Sequence, residues 1–214
     1  MKKSVLAAVF SSVLILSACS GPTASEQLDT VLKDTFDAEK TYRETQGDME
    51  ELEKNEQQLF ESTMALTQEQ QDKVKNQVEE ARASADERLD LLEIEKESMN
   101  EAQENFKKLD AVIEEADNTQ IKEDLGSLKT TMTERYNAHD EFAAAYETLY
   151  NLQQELYTML LDENAQLPEL QEKAMEVNEQ NTAVQETVAV FNDKTEQFNE
   201  LKNGIIEKLE KEEQ

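Results

Sequence analysis

The stretch Leu170–Ile206, LQEKAMEVNEQNTAVQETVAVFNDKTEQFNELKNGII, decides the fold. Apolar residues recur in it at every seventh position: Leu170, Val177, Val184, Phe191, Phe198 and Ile205. A sustained seven-residue repeat places its apolar side chains along one seam of an α-helix that packs against other helices. Pro168 fits the first position of that helix, where its missing N–H costs nothing. The stretch therefore predicts a long helix with one buried face.

Three earlier segments show the same spacing, over about residues 25–63, 68–116 and 120–162. Thr67 with Gln70 forms a capping-box pattern, and Asp117–Thr119 can cap the third helix. Only four Gly and two Pro occur in 214 residues, so the helices are long, and short connections make neighbours antiparallel. The sequence predicts an all-α fold: an elongated up-and-down bundle of four long antiparallel helices, one domain over residues 25–214. Both termini and the connection near Asn118 are then expected at one end.

The first 18 residues are typical of a bacterial export signal. Lys2 and Lys3 precede an apolar stretch over residues 4–16, and LSAC at residues 16–19 resembles a lipobox. We expect cleavage before Cys19, a diacylglyceryl group on its thiol, and residues 19–24 as lipidated N-terminus and tether. The apolar run of about 13 residues is short for a spanning helix, which needs roughly 20. A lipid anchor on the extracytoplasmic face of the cell membrane is favoured over an ordinary signal with a chance cysteine.

The charge of the chain restricts its partners. The formal net charge is −28, and loss of Lys2 and Lys3 with the signal takes it to about −30. Nucleic acid is excluded as a partner, because phosphate binding needs Lys and Arg. Direct adhesion to anionic headgroups or polyphosphate wall polymers is disfavoured unless divalent cations bridge the charges. Cys19 is the only cysteine, so the mature fold has no internal disulfide.

Residues that could carry catalysis are scarce. His139 is the only histidine, and Tyr136 stands where the Glu-x-x-His motif of bundle di-metal sites needs a glutamate. His139 is therefore interpreted as a histidine at the edge of the core. Paired carboxylates such as Glu79–Glu80 are typical of a solvated helix face, and no phosphate loop, calcium loop or nucleophile elbow occurs. The sequence predicts a protein that is not an enzyme, with no cofactor and no metal.

Six polar residues interrupt the apolar rows: Arg88, Glu95, Arg135, Gln153, Asn181 and Thr195. The favoured interpretation is that they fix the register of the helices at some cost in stability. The alternative is a polar groove that holds a ligand. Counting from the connection between the third and fourth helices places His139 near Asn192 and Arg135 near Glu196, as candidates for hydrogen bonds along the seam.

Tyr136, Tyr150 and Tyr157 share a row beside the seam of the third helix. Exposed aromatic rings offer a partner a large contact area at low entropic cost, so these three are the candidate partner contacts. The competing interpretation, which we favour, is that the rings flank the core and only their hydroxyls reach water. The absence of tryptophan weakens any case for stacking on sugars.

Several stretches resemble the YkyA-like family of cell-wall-binding lipoproteins of Gram-positive bacteria. They are the lipobox, LEIEKESM at residues 92–99, Arg135–Tyr136, Tyr146 and Glu155–Tyr157. The likeness extends over nearly the whole mature chain. It implies a helical bundle at the cell surface and supplies no catalytic residue.

The primary hypothesis is a non-enzymatic, lipid-anchored surface lipoprotein that acts as an interaction module in the cell wall or envelope. Its partners would be the membrane, through the Cys19 lipid, and an envelope protein or wall component that the sequence does not identify. The alternative is a carrier or sensor that holds a small ligand in a groove between helices. An elongated cavity lined by the polar seam residues favours the alternative, whereas continuous packing favours the module.

The anchoring hypothesis makes a direct prediction. Cys19→Ala should release the protein from membranes or leave it as an unprocessed precursor, because thioether acylation needs the sulfur atom. Membrane fractionation of cells with an antibody to the bundle measures both outcomes. Wild-type amounts of mature, membrane-retained Cys19→Ala protein would exclude a lipid on this residue as the anchor.

Overall fold

The first helix begins at a capping box. The Thr23 hydroxyl accepts the N–H of Glu26, and the Glu26 carboxylate accepts the N–H of Thr23. The computed structural model describes residues 22–66 and 70–212; the export signal, Cys19 and the capping pattern at Thr67 lie outside these ranges. Six helices follow in chain order: α1 (Ala24–Ala38), α2 (Lys40–Met64), α3 (Gln71–Phe106), α4 (Leu109–Glu115), α5 (Thr119–Leu160) and α6 (Leu167–Glu212).

These helices form four rods, because α2 continues α1 and α4 continues α3. The main packing contacts join α5 to α6, α2 to α3, α1 to α3 and α3 to α5. No strand occurs in the described ranges, and the predicted all-α bundle is confirmed. The domain limits over residues 25–214 remain a prediction.

The two ends of the bundle are defined by long-range contacts. Gln27 Nε2 donates to the Glu115 carboxylate at 2.8 Å, and Lys208 Nζ lies 2.5 Å from the Asp124 carboxylate. The start of α1, the α4–α5 connection and the end of α6 therefore share one end, called the base. At this end the Asn118 side chain accepts the N–H groups of the second and third residues of α5. The end of α2, the start of α3 and the α5–α6 connection lie at the other end, called the tip.

Burial along α6 decreases from base to tip. Phe191, Phe198 and Ile205 belong to the largest apolar cluster, with Leu125 and Leu128 of α5 at its centre. The same heptad row continues toward the tip through Val177 and Leu170, which are only half-buried. The core is therefore thickest at the base, and α6 lies at the edge of the bundle near the tip.

Two of the four predicted helices are interrupted, which the heptad pattern did not indicate. The first breaks at Glu39 and the second at residues 107–108. At the first break the Ser98 hydroxyl of α3 donates to the Ala38 carbonyl at 2.7 Å and accepts the Tyr42 N–H at 3.1 Å. Those two backbone groups would bond each other in a continuous helix. Insertion of a neighbouring side chain into the hydrogen-bond ladder therefore accounts for the bend.

Removing this hydroxyl should destabilise the bundle. Ser98→Ala takes the partner from a partly buried carbonyl and a partly buried N–H group, and we expect a loss of about 1–3 kcal/mol in the free energy of unfolding. Urea denaturation followed by circular dichroism measures it. Ser127→Ala is the matched control, because the exposed Ser127 hydroxyl bonds only to the Glu123 carbonyl of its own helix. Equal stability of the two variants would show that Ser98 does not hold the bend.

Candidate functional site

The polar seam residues form layers across the bundle, and the layer nearest the base lies at the bend. The Arg135 guanidinium, 5% exposed, donates to both Glu39 carboxylate oxygens at 2.6 and 3.1 Å and to the Thr195 hydroxyl at 2.9 Å. Thr195 adjoins the counted neighbour Glu196, so the counted register is correct within one residue. This layer connects α5 to α6 and to the bend between α1 and α2, so it supports the register interpretation for Arg135 and Thr195.

His139 lies directly beside this layer and is 2% exposed. Its ring centroid is 5.7–5.9 Å from those of Tyr42, Phe142 and Phe191. Burial lowers the pKa of His139 from 6.5 to about 4, and the positive charges of Arg135 and Lys96 add to the effect. Phe191 adjoins Asn192, so the counted register is correct within one residue, but the nearest contacts are aromatic rings rather than a hydrogen bond. His139 is a neutral core histidine.

A second layer contains a buried carboxyl without a cationic partner. Glu95 is 0% exposed, and its Oε1 accepts hydrogen bonds from the Thr45 hydroxyl and the Gln46 amide of α2. Burial raises the pKa of Glu95 from 4.5 to about 7, although the two hydrogen bonds oppose the rise. The charge state of this carboxyl therefore changes near neutral pH.

The third layer, toward the tip, is centred on Arg88. Its guanidinium pairs with the buried Glu56 carboxylate, donates to the Tyr146 hydroxyl at 2.7 Å and donates to Gln153 Oε1 at 3.0 Å. Glu56 also accepts the Tyr157 hydroxyl. Burial raises the pKa of the Glu56 carboxyl, and the Arg88 charge and the Tyr157 hydrogen bond oppose that rise.

The two buried acids that pair with the arginines, Glu39 and Glu56, were not among the predicted seam residues. A signal existed for Glu56, which lies seven residues after Met49 on the same apolar row. No comparable signal existed in the sequence for Glu39, because its side chain faces inward only as a result of the bend between α1 and α2.

A cleft of about 760 Å³ adjoins the third layer and separates α2 from α6. Its floor contains Arg88 of α3 and Gln153 of α5, and Asn181 lines it from α6. Three of the six predicted seam residues thus converge on a groove, as the alternative interpretation expected, while Arg135 and Thr195 form a closed layer. The other residues that line the cleft are Glu50, Glu53, Lys54, Glu56, Gln57, Phe60, Glu61, Leu149, Leu156, Tyr157, Ala174, Val177, Asn178 and Gln185.

The three candidate tyrosines do not form one exposed row. Tyr136 and Tyr157 are 4% and 3% exposed, inside the bundle. Tyr150 is half-buried, and its hydroxyl donates to the Asp86 carboxylate at 2.8 Å. Of the three, Tyr150 alone is not fully buried, and Tyr157 lines the cleft.

Within residues 22–66 and 70–212, no three His, Cys, Asp or Glu side chains cluster in a way that could hold a metal ion. Over the same ranges no helix combines the length and apolarity needed to cross a membrane.

The comparisons with known proteins agree with this architecture. A crystal structure of a conserved protein of unknown function from Staphylococcus aureus has the same fold, with a TM-score of 0.74 at 20% identity; the match covers 88% of this chain and 98% of that one. The uncharacterized lipoprotein YkyA of Bacillus subtilis strain 168 is 25% identical over 194 residues, which are 91% of this chain and 87% of the relative. The YkyA family model, described as "Putative cell-wall binding lipoprotein", matches residues 23–208.

This chain therefore belongs to the YkyA family, and the resemblance noted in its sequence is confirmed. The family is one of surface lipoproteins associated with the cell envelope, and it is not a family of enzymes.

The buried carboxyl of Glu95 predicts a pH-dependent contribution to stability. Because its pKa is higher in the folded than in the unfolded state, its stabilisation is complete below pH 4.5 and is lost as the pH rises through 7. A shift from 4.5 to about 7 corresponds to about 3 kcal/mol. Between pH 4.5 and 8, the free energy of unfolding of Glu95→Gln should therefore rise by about that amount relative to wild type.

Urea denaturation of both proteins at pH 4.5, 6 and 8 measures the difference. Burial lowers the pKa of His139, so this residue contributes to stability with the opposite dependence on pH. That contribution cancels in the comparison, because both proteins contain His139. Glu97→Gln, at an exposed position two residues away, should show a constant difference from wild type. A constant difference for Glu95→Gln as well would contradict the shifted pKa.

Proposed function

We propose that this protein is a non-enzymatic, lipid-anchored surface lipoprotein that serves as an interaction module in the cell envelope. In this proposal residues 1–18 are the removed signal, Cys19 carries the lipid and residues 19–24 are the tether of the bundle. The observation that carries the proposal is the match of the family model over residues 23–208. The lipobox-like LSAC at residues 16–19 supports the anchor independently.

The geometry of the bundle supports a defined orientation on the membrane. A lipid on Cys19 would lie five residues from the start of α1, at the base. The tip would then point away from the bilayer. At 1.5 Å per residue, the helical path from Ala24 to Glu56 spans roughly 50 Å, so a lipid anchor at the base would leave the cleft well outside the headgroup region. A partner in the envelope would meet the tip first.

The cleft favours a second candidate function, capture of a small ligand. Its volume of about 760 Å³ is within the range of roughly 300–1,000 Å³ that ligand pockets occupy. It is lined by polar side chains from all four rods, among them Glu56, Arg88, Gln153 and Asn181. A carrier or sensor would use this groove, and an interaction module would use it to hold part of its partner.

Crosslinking in intact cells tests the proposed function. The full-length protein with its anchor should capture one or more envelope components, and Cys19→Ala should lose them because it leaves the surface. Tyr150→Ala should reduce capture if this half-buried side chain contacts the partner. Its control is Tyr150→Phe, which keeps the ring and removes only the hydroxyl. Two results would contradict the proposal. One is specific capture of the same components, in equal amounts, by wild type and Cys19→Ala. The other is the absence of any captured component in cells that display the wild-type protein on their surface.

A further inference from the structure

We propose that the cleft between α2 and α6 binds a short peptide that carries a free ammonium group. The inference rests on the proposed function, because it names the chemical class of ligand that an envelope module would hold there. It follows from the charges, the amide groups and the apolar walls of the cleft.

The charges that line the cleft select a cation. They comprise four carboxylates and two cations: Glu50, Glu53, Glu56, Glu61, Lys54 and Arg88. Glu56 and Arg88 are both buried and pair with each other. The exposed wall therefore presents three carboxylates of α2 and a single ammonium group, that of Lys54. A cationic ligand is attracted to this wall, whereas a phosphate or carboxylate ligand is repelled.

Side-chain amides supply partners for peptide groups. Five of them line the cleft from three rods: Gln57, Gln153, Asn178, Asn181 and Gln185. An amide donates and accepts hydrogen bonds in the same way as the peptide group that it would meet. Arg88 already donates a hydrogen bond to Oε1 of Gln153, so Gln153 offers a ligand the N–H donors of its Nε2. The amides of α6 line one wall of the cleft, and those of α2 and α5 line the opposite wall and the floor. Together they can form hydrogen bonds to both edges of an extended peptide.

Apolar walls complete the cleft. Leu149 and Leu156 are buried at its floor, while Phe60 and Val177 are half-buried on α2 and α6. They can cover the aliphatic stem of an amine-bearing side chain while its ammonium group stays near the carboxylates. The volume of about 760 Å³ accommodates a few residues and no folded partner.

Titration calorimetry on the full-length protein tests the inference with two probes. One is the free tetrapeptide Ala-Gln-Lys-Ala, and the other is a muropeptide fraction released from Gram-positive peptidoglycan by a muramidase. Each is compared with the same material after acetylation of all its amino groups. We expect binding by an amine-bearing probe that becomes at least tenfold weaker after acetylation. Binding of the muropeptide alone assigns the ligand to the wall, and binding of both assigns recognition to the peptide itself.

Matched double variants test whether the probes bind in the cleft. Glu50→Gln with Glu61→Gln removes two exposed carboxylates from the cleft and should weaken binding about tenfold. Glu51→Gln with Glu80→Gln removes two exposed carboxylates outside the cleft and should leave binding unchanged. Both variants alter the net charge equally, so the comparison excludes a general electrostatic effect.

Three outcomes would overturn the inference: no binding of either probe, binding that acetylation leaves unchanged, or equal binding by the two double variants. The proposed function is tested separately. If Glu50→Gln with Glu61→Gln captures the same envelope components as wild type in intact cells while neither probe binds, the cleft inference fails and the interaction module stands.

Discussion

A buried guanidinium must find anions and acceptors inside the protein, and Arg135 finds them on two other rods. Glu39 supplies both carboxylate oxygens and Thr195 supplies a hydroxyl. Glu39 can reach this position because the helix breaks there, and the break is stabilised by Ser98 of a third rod. Removing one partner from such a buried pair is strongly destabilising. The level of Arg135 therefore fixes the relative positions of all four rods.

The bundle has different character on the two sides of this level. Toward the base, Leu109, Leu125 and Leu128 belong to an apolar core to which α1 and α6 also contribute. Toward the tip, Glu56 and Arg88 occupy seam positions and form an ion pair with each other. Polar side chains at these seam positions offer α6 less apolar surface to cover than the leucine positions nearer the base do, so less hydrophobic stabilisation holds α6 against them. The separation of α2 from α6 follows from this distribution of side chains.

Much of the fold was predictable, because apolar spacing reports which face of a helix is buried. The row from Leu170 to Ile205 predicts α6, and Asp117–Thr119 predicts the start of α5. The interruptions were not predictable, since the break at Glu39 depends on a hydroxyl from Ser98, 59 positions away in the sequence. The same limit applies to the cleft. Arg88, Gln153 and Asn181 were recognisable as polar seam residues, but only their positions in three dimensions distinguish a groove from a closed layer such as that of Arg135.

The uneven burial of α6 has a consequence for its local opening. This helix is continuous over 46 residues, yet Val184 is its first buried residue from the tip among the side chains described. Segments with few buried contacts open at a lower free energy than the molecule as a whole. The tip half of α6 can therefore detach from α5 while Phe198 and Ile205 stay docked at the base. Any molecule that bridges α2 and α6 would suppress this opening, since binding to the closed form alone stabilises it by mass action.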